Sequence, residues 1–214
     1  MNIFVTGTDT SIGKTIVSAW LCIHLNANYW KPVQSGSAAE ATDSQIVKNL
    51  LSKNNKGVIP EKYIFKVPLS PHTAAIIEGK RICMNELHLP NTNNSRMIVE
   101  GAGGILTPLN DEATICDLMK QLNLPVILVA RSSLGTINHT CLTLEALRNK
   151  NIPVLGVIMN GPKNESNKLA IEKYGRTCVL DELEMFDQLD HSSLKKRLPS
   201  QNLIGACNEL STIR

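Results

Sequence analysis

A loop near the start of the chain constrains its fold more than any other feature. The stretch Gly7-Thr8-Asp9-Thr10-Ser11-Ile12-Gly13-Lys14-Thr15 follows a short apolar run, Ile3–Thr6, and precedes a helical pattern, Lys14–Leu25. At a helix N-terminus, free backbone N–H groups and the helix dipole favour a bound anion. Lys14 adds a positive charge for the β- and γ-phosphates of a nucleotide, and Thr15 adds a hydroxyl ligand for Mg²⁺. The sequence therefore predicts a phosphate-binding loop, a variant with five residues instead of four between its glycines. The plainer alternative is an ordinary turn between a strand and a helix.

Nearly continuous runs of Val, Ile and Leu are typical of strands buried on both faces of a parallel sheet. They are Ile3–Thr6, Met97–Glu100, Val126–Ala130 and Val154–Met159, with Tyr29–Val33 and Thr177–Leu180 as further candidates. Helical patterns lie at Lys14–Leu25, Asp43–Leu51, Ala113–Leu122, Gly135–Arg148 and Ser166–Tyr174. This alternation predicts a three-layer α/β/α fold of the P-loop NTPase type, with a mostly parallel central sheet. We expect one domain over residues 1–214, with an excursion and a surface helix between Asn55 and Asn94, where periodicity is weakest.

Composition excludes several other classes of protein. A hydrophobic content of 43% and a charged content of 19% are those of an ordinary globular chain. The formal net charge of +3 is too small to indicate a nucleic-acid partner. No apolar run approaches the roughly 18 residues of a membrane helix, and no basic segment precedes the first strand. The six cysteines occur singly, several within apolar runs, which favours reduced thiols and a cytosolic protein.

Polar residues follow the second predicted strand, in the stretch Trp30-Lys31-Pro32-Val33-Gln34-Ser35-Gly36. In open α/β sheets, ligands bind beyond the carboxyl ends of the strands. Lys31 would stabilise negative charge there, near the phosphates or on an anionic intermediate. The alternative for Lys31 is a side chain that snorkels at the edge of the sheet. The Ser35 hydroxyl, in the turn that follows, is suited to a small polar substrate.

Two acidic residues are candidates for metal ligands. Asp43 opens a helix, where an acidic residue is often only a cap. Glu100 ends a buried strand, where a carboxylate is costly unless it is paired or bound to a metal. Together with the Thr15 hydroxyl they provide three oxygen ligands, which suits Mg²⁺ bridging two phosphates. The following residues, Gly101-Ala102-Gly103-Gly104, allow a ligand to approach the backbone closely.

An amide ends the strand Val154–Met159. Asn160 could use both its donor and its acceptor to bind the edge of a purine. The alternative is that Asn160-Gly161 only forms a turn.

These motifs together resemble the dethiobiotin synthetase family. The matching pieces are the long phosphate loop 7–15, Tyr29-Trp30-Lys31-Pro32-Val33-Gln34-Ser35-Gly36, Thr42-Asp43, Ser70-Pro71-His72, Val99-Glu100-Gly101-Ala102-Gly103-Gly104, Ile137-Asn138-His139 and Met159-Asn160. They run in family order over roughly residues 1 to 160, and beyond Asn160 the resemblance weakens. Near the C-terminus the family has a Gly-Glu-Ile-Pro-like segment that helps to hold adenine, where this chain has Cys178-Val179-Leu180-Asp181-Glu182-Leu183-Glu184.

The resemblance implies a ligase that converts 7,8-diaminononanoate, CO₂ and ATP into dethiobiotin, ADP and phosphate, with Mg²⁺ as cofactor. It implies catalytic roles for Lys31, Lys14 and Thr10. The residues implied to contact ATP are Ser11, Ile12, Gly13, Lys14, Thr15, Ile16, Asp43, Glu100, Gly101, Ala102, Gly103 and Asn160. Those implied to bind the diamine are Lys31, Ser35 and Asn138, and those implied to bind the metal are Thr15, Asp43 and Glu100.

The resemblance also implies a homodimer, in which the helix start at Gly135–His139 reaches the partner's active site. Asn138 would then meet the substrate carboxylate, which the N-terminus of a helix favours. For His139 we favour a packing or interface role, although His139 and His72 could each be taken for a catalytic base.

Two other kinds of P-loop ATPase share the long phosphate loop. Amidotransferase-type synthetases usually carry a glutaminase domain with a reactive cysteine, for which this chain has no room. ATPases that act in partitioning or metal delivery depend on a second lysine within the loop, and the corresponding residue here is not basic.

Overall fold

The computed structural model describes residues 2–52, 56–93 and 95–212. The strands within them are β1 (Asn2–Gly7), β2 (Asn28–Trp30), β3 (Val33–Gln34), β4 (Val58–Ile59), β5 (Tyr63–Ile64), β6 (Met97–Glu100), β7 (Val126–Arg131), β8 (Val154–Asn160) and β9 (Val179–Leu183). The helices are α1 (Lys14–Leu25), α2 (Asp43–Leu50), α3 (Pro71–Ile77), α4 (Ile115–Leu122), α5 (Thr136–Asn149), α6 (Glu165–Gly175), α7 (His191–Lys196) and α8 (Gln201–Thr212). Strands and helices alternate over most of the chain, as the apolar pattern predicts.

Seven strands form the central sheet, in the order β4-β2-β6-β1-β7-β8-β9, and all of its neighbouring strands are parallel. Side chains alternate between the two faces along each strand. On one face, Ile3 and Val5 of β1 pack in a core with α1, α2, α7 and α8. On the other, Phe4 packs in a core with α3, α4 and α5, and β7 and β8 contact α5 and α6. The predicted three-layer α/β/α fold is confirmed.

The long apolar runs and the periodic helices were predicted well. Strands β1, β6, β7 and β8, and helices α1, α2, α4, α5 and α6, lie within two residues of their predicted bounds. Apolar residues that fill both faces of a buried strand, or one face of a helix, leave little choice of secondary structure. This part of the fold is therefore encoded locally.

The predicted strand Tyr29–Val33 is wrong as one element. Strand β2 ends at Trp30, and Pro32 has no N–H with which to continue the ladder. The chain then leaves the sheet, and β3 pairs with β5 in a separate two-stranded sheet. Lys31 therefore lies where the chain turns away from the central sheet, directly above its carboxyl edge.

Two other predictions need adjustment. Strand β9 begins at Val179 and continues to Leu183, beyond the predicted Thr177–Leu180. In the segment 55–94, β4 forms the edge strand of the central sheet, and β5 and α3 follow it. The predicted excursion therefore also supplies one strand of the central sheet. Asn55 and Asn94 themselves lie outside the described residues.

The C-terminal helices are fixed to the core by buried contacts. Leu194 of α7 and Leu203 of α8 belong to the same buried core cluster as the side chains of α1. The indole Nε1 of Trp20 donates a hydrogen bond of 2.6 Å to the carbonyl of Arg197, between the two helices. Among residues 2–52, 56–93 and 95–212, no helix has the length and apolar character needed to cross a bilayer.

Candidate active site

The phosphate loop connects β1 to α1, as the motif predicts. Gly13 is the N-cap of α1. Its φ of +91° lies in a region of backbone conformation that residues with L side chains rarely adopt. A Cβ on Gly13 would also lie 2.2 Å from Nδ2 of Asn160. The same Nδ2 donates a hydrogen bond of 3.0 Å to the carbonyl of Ile12. The end of β8 therefore fixes the shape of the loop at the helix start, and this close approach requires glycine.

Lys14 lies under the loop and is only 7% exposed. Its Nζ donates a hydrogen bond of 2.7 Å to the carbonyl of Asp9. Burial lowers the pKa of Lys14 to about 8, although the nearby Glu100 carboxylate opposes the shift. Arg131, at the end of β7, pairs with the Asp9 carboxylate at 2.8 Å. Arg131 could not be predicted as part of the site, because it lies 122 residues from Asp9 along the chain and no motif links the two.

The three predicted metal ligands meet at the carboxyl edge of the sheet. The Thr15 hydroxyl donates to Asp43 Oδ1 at 2.8 Å and to Glu100 Oε1 at 3.1 Å, so both acceptors lie next to one donor. The N-cap of α2 is Thr42, which forms a capping box with Gln45. Thr42 is therefore the cap of the helix, and the Asp43 carboxylate instead contacts Thr15 and Lys31, while its role as a metal ligand stays a prediction.

Lys31 lies between the two carboxylates. It is 5% exposed, and its Nζ contacts Asp43 Oδ2 and donates to Glu100 Oε1 at 3.2 Å. Burial by itself lowers the pKa of Lys31, but the charges of Glu100 and Asp43 outweigh burial and raise it. Burial likewise raises the pKa of Asp43, and Lys31 lowers it below its ordinary value. Lys31 is therefore a buried, charged ammonium. The alternative that its side chain snorkels to solvent is wrong, because such a side chain would be exposed.

The donor set fits a magnesium ion. One hydroxyl and two carboxylates lie together at this edge of the sheet. In the part of the chain that the structure describes, no group of three His, Cys, Asp or Glu residues could hold a metal by itself. Mg²⁺ is usually bound by one or two carboxylates, with phosphates and water as its remaining ligands. The hard oxygen donors Thr15, Asp43 and Glu100 would therefore hold Mg²⁺ together with a nucleotide.

A cavity of about 630 Å³ opens above these groups. The predicted site residues that line it are Thr10, Ser11, Gly13, Lys14, Thr15, Lys31, Ser35, Asp43, Glu100, Ala102 and Gly103. Gln34, Thr107 and the segment Pro68–Pro71 complete the wall. The Ser35 hydroxyl is buried and has no hydrogen-bond partner among the described residues. An unpaired buried hydroxyl is costly, so a polar group of a ligand would stabilise it.

Other predicted residues do not line this cavity. Ile12 is buried in the core beneath the loop, and Ile16 packs at the edge of the same core. Gly101 packs against Phe4, where a Cβ would lie 2.9 Å from the ring. Asn160 contacts the loop from behind. The nucleotide contacts expected of these residues stay predictions.

Asn138 and the two histidines lie further along the chain. Asn138 and His139 are exposed in the first turn of α5, outside the cavity. His72 is half-buried in α3, where its ring nitrogens contact the hydroxyls of Ser70 and Thr73 at 3.1 Å. The role expected of Asn138 requires a second copy of the chain and stays a prediction.

The chain is similar over most of its length to one family model and to proteins that share one name. The model of a family described as an AAA domain matches residues 1–193. A protein from Paramagnetospirillum magneticum, named ATP-dependent dethiobiotin synthetase BioD, is 50% identical over 182 residues, 85% of this chain and 87% of the relative. A protein of the same name from Lawsonia intracellularis is 47% identical over 204 residues, 95% of this chain and 97% of the relative.

Solved structures show the same fold at much lower identity. A ParA family ATPase from Chlorobium tepidum matches with a TM-score of 0.51 and 12% identity, covering 98% of this chain and 96% of that one. This likeness concerns the fold alone.

The sequence match of 204 residues to the relative from Lawsonia intracellularis extends past Asn160, so the similarity to this family is not confined to roughly residues 1 to 160.

Proposed function

Since this chain belongs to the family of ATP-dependent dethiobiotin synthetases, we propose that its cavity joins 7,8-diaminononanoate and CO₂ at the expense of ATP. The chain is a ligase, and its product is dethiobiotin. One substrate amine captures CO₂ as a carbamate, and a carbamate oxygen attacks the γ-phosphorus and displaces ADP. The second amine then attacks the carbonyl carbon, which closes the cyclic urea and expels phosphate.

The observation that carries this proposal is the buried ammonium of Lys31, which lines the same cavity as the Ser35 hydroxyl, a group without a hydrogen-bond partner among the described residues. Negative charge grows on the carbamate and on the transferring phosphoryl group, and preorganised cations stabilise it most effectively where water is excluded. Lys31 would contact both groups, and Ser35 would bind the diamine or its carbamate. The chemistry needs positioning and charge neutralisation and no protein nucleophile.

The phosphate loop would bind the triphosphate. Lys14 would contact the β- and γ-phosphates, and Thr10 and Ser11 line the same wall of the cavity. Thr15, Asp43 and Glu100 would hold Mg²⁺, which when bound neutralises charge on the β- and γ-phosphates. Asn160 would lie near the base, where its amide oxygen can accept a hydrogen bond while Nδ2 holds the loop.

We further propose that the working unit is a homodimer. Leu134, Leu142 and Leu106 are 99%, 58% and 63% exposed. Leu106 and Leu142 line one depression between α5 and the loop that follows Gly104. A two-fold interface over this surface would bury these side chains. It would bring Asn138 of one subunit towards the cavity of the other, where the helix start favours the substrate carboxylate. We place the enzyme in the cytoplasm.

The direct test is formation of dethiobiotin, measured by mass spectrometry together with ADP release. We expect product only when 7,8-diaminononanoate, bicarbonate, ATP and Mg²⁺ are all present. Calorimetry should show stronger binding of this diamine than of the same vicinal diamine without its carboxylate. ATP hydrolysis that ignores the diamine, with no cyclic urea formed, would contradict the proposal and favour an ATPase of the partitioning type.

A further inference from the structure

The two carboxylate oxygens of Glu100 have different partners. Oε1 accepts hydrogen bonds from the Thr15 hydroxyl at 3.1 Å and from Lys31 Nζ at 3.2 Å, on the side of the cavity. Oε2 accepts from the phenol hydroxyl of Tyr29 at 3.0 Å, on the side of the core. One oxygen therefore faces the candidate metal site, and the other is held from behind.

Tyr29 is well placed to fix the Glu100 side chain. It is completely buried in the middle of β2, two residues before Lys31, and packs in the core beneath α1. Its backbone lies in register with Ile98 of β6, two residues before Glu100. The phenol hydroxyl carries a single proton, and in this arrangement it donates that proton to Oε2 of Glu100.

We propose that Tyr29 is a positioning residue that turns Glu100 so that only Oε1 is presented to the bound metal. This inference rests on the proposed metal site at Thr15, Asp43 and Glu100. A ligand held through one oxygen suits Mg²⁺, which demands near-ideal octahedral geometry. Groups that orient metal ligands in this way typically contribute about 10- to 100-fold to metal affinity or activity.

Tyr29→Phe is the appropriate variant, because it removes the hydroxyl and keeps the buried ring. The matched control is Tyr63→Phe. The Tyr63 hydroxyl also donates to a carboxylate, Glu86 Oε2 at 3.1 Å, but at the surface and outside the cavity. Binding of Mn²⁺ is measured by electron paramagnetic resonance in the presence of a non-hydrolysable ATP analogue, so the readout does not depend on turnover.

We expect Tyr29→Phe to weaken Mn²⁺ binding at least about tenfold. The concentration of Mg²⁺ needed for half-maximal rate should rise in parallel, and kcat at saturating Mg²⁺ should largely recover. Tyr63→Phe should bind Mn²⁺ as the unchanged protein does. A purely structural role for Tyr29 would lower the melting temperature and the activity at every Mg²⁺ concentration without shifting the metal requirement, and that result would overturn the inference.

Glu100→Gln separates the inference from the proposal on which it rests. If Glu100→Gln loses Mn²⁺ affinity and Tyr29→Phe does not, the metal site stands and the role of Tyr29 is refuted. If Glu100→Gln binds Mn²⁺ as the unchanged protein does, the metal site itself is wrong, and the inference fails with it.

Discussion

Replacement of Lys31 by methionine is the sharpest test of how the buried charges work. Methionine keeps most of the length of the side chain and removes only the ammonium. Glu100 is 1% exposed and the Asp43 side chain is 23% exposed, so both carboxylates would lose their nearest cation in a poorly solvated place. The stability and the turnover of the variant together distinguish a Lys31 that only balances these charges from one that also acts on the reacting groups.

The structure sets the size of the effect on stability. At the 3.2 Å between Lys31 Nζ and Glu100 Oε1, an effective dielectric constant of about 20 gives a Coulomb attraction of about 5 kcal/mol. Removal of one partner from a buried ion pair typically costs about 3–5 kcal/mol, because the other charge stays buried. We expect Lys31→Met to lower the free energy of unfolding by an amount in this range, measured by urea denaturation in the absence of nucleotide.

The kinetic effect should have a distinct signature. Loss of one preorganised charge in a catalytic site typically lowers kcat about 10²- to 10³-fold. Binding of Mn²⁺ should not weaken, because Lys31 competes with a metal ion for Asp43 and Glu100. Saturating Mg²⁺ and ATP should therefore restore much of the folded fraction, since a bound ligand stabilises the native state. They should leave kcat low in a coupled assay of ADP release.

Lys62→Met is the matched control. Lys62 forms an ion pair of 2.9 Å with Glu86, but both side chains are more than 40% exposed. Exposed pairs of this kind contribute about 0–1 kcal/mol, so stability and turnover should change little. The reasoning would be refuted if Lys31→Met kept kcat within a few-fold of the unchanged enzyme. It would also be refuted if metal affinity fell together with kcat.

Three further predictions follow from the site, the proposed interface and the C-terminal contacts. Asp43→Asn should raise the Mg²⁺ concentration needed for half-maximal rate and leave the melting temperature in excess Mg²⁺-ATP nearly unchanged; an unchanged Mg²⁺ titration would remove Asp43 from the metal site. Mixed Lys14→Ala and Asn138→Asp subunits, each inactive alone, should regain part of the activity as hybrid dimers; no recovery, with dimers confirmed by sedimentation, would mean that each subunit builds its own site. Arg197→Ala should lower the free energy of unfolding by about 1.5–3 kcal/mol in one cooperative transition, because it removes a hydrogen bond to the buried Asp181 carboxylate; a second, separate transition in calorimetry would contradict a single domain over residues 1–214.

Local sequence predicted the elements that one short stretch encodes. The phosphate loop needs a strand, a glycine at positive φ and the pair Lys14-Thr15 within about fifteen residues, and all three are visible without the rest of the chain. Strands β1, β6, β7 and β8 were equally clear, because apolar residues on both faces allow no exposed side. The segment 55–94 was obscure because β4 and β5 each have only two residues, too few to show a period.

The site was predictable as a set of residue types but not as a set of contacts. The sequence identified Lys31 and Glu100 because polar residues at the ends of apolar strands are unusual, and Asp43 because it completes a set of oxygen ligands with Thr15 and Glu100. It did not indicate that Thr42 would cap α2 and leave the Asp43 side chain facing the site. Tyr29 was missed because a tyrosine in a buried strand looks like ordinary core, and only its contact with Glu100 distinguishes it.

Interactions between near neighbours in the chain account for the longer apolar strands, the periodic helices, the phosphate loop and the chemical character of the strand ends, so these could be predicted from the sequence. Tertiary packing determines which of these groups meet. Tyr29 reaches Glu100 across 71 residues, Arg131 reaches Asp9 across 122, and Trp20 reaches Arg197 across 177. In a parallel sheet, helical crossovers set the order of the strands, and adjacent strands need not be consecutive. Spacing along the chain therefore does not reveal which side chains become neighbours.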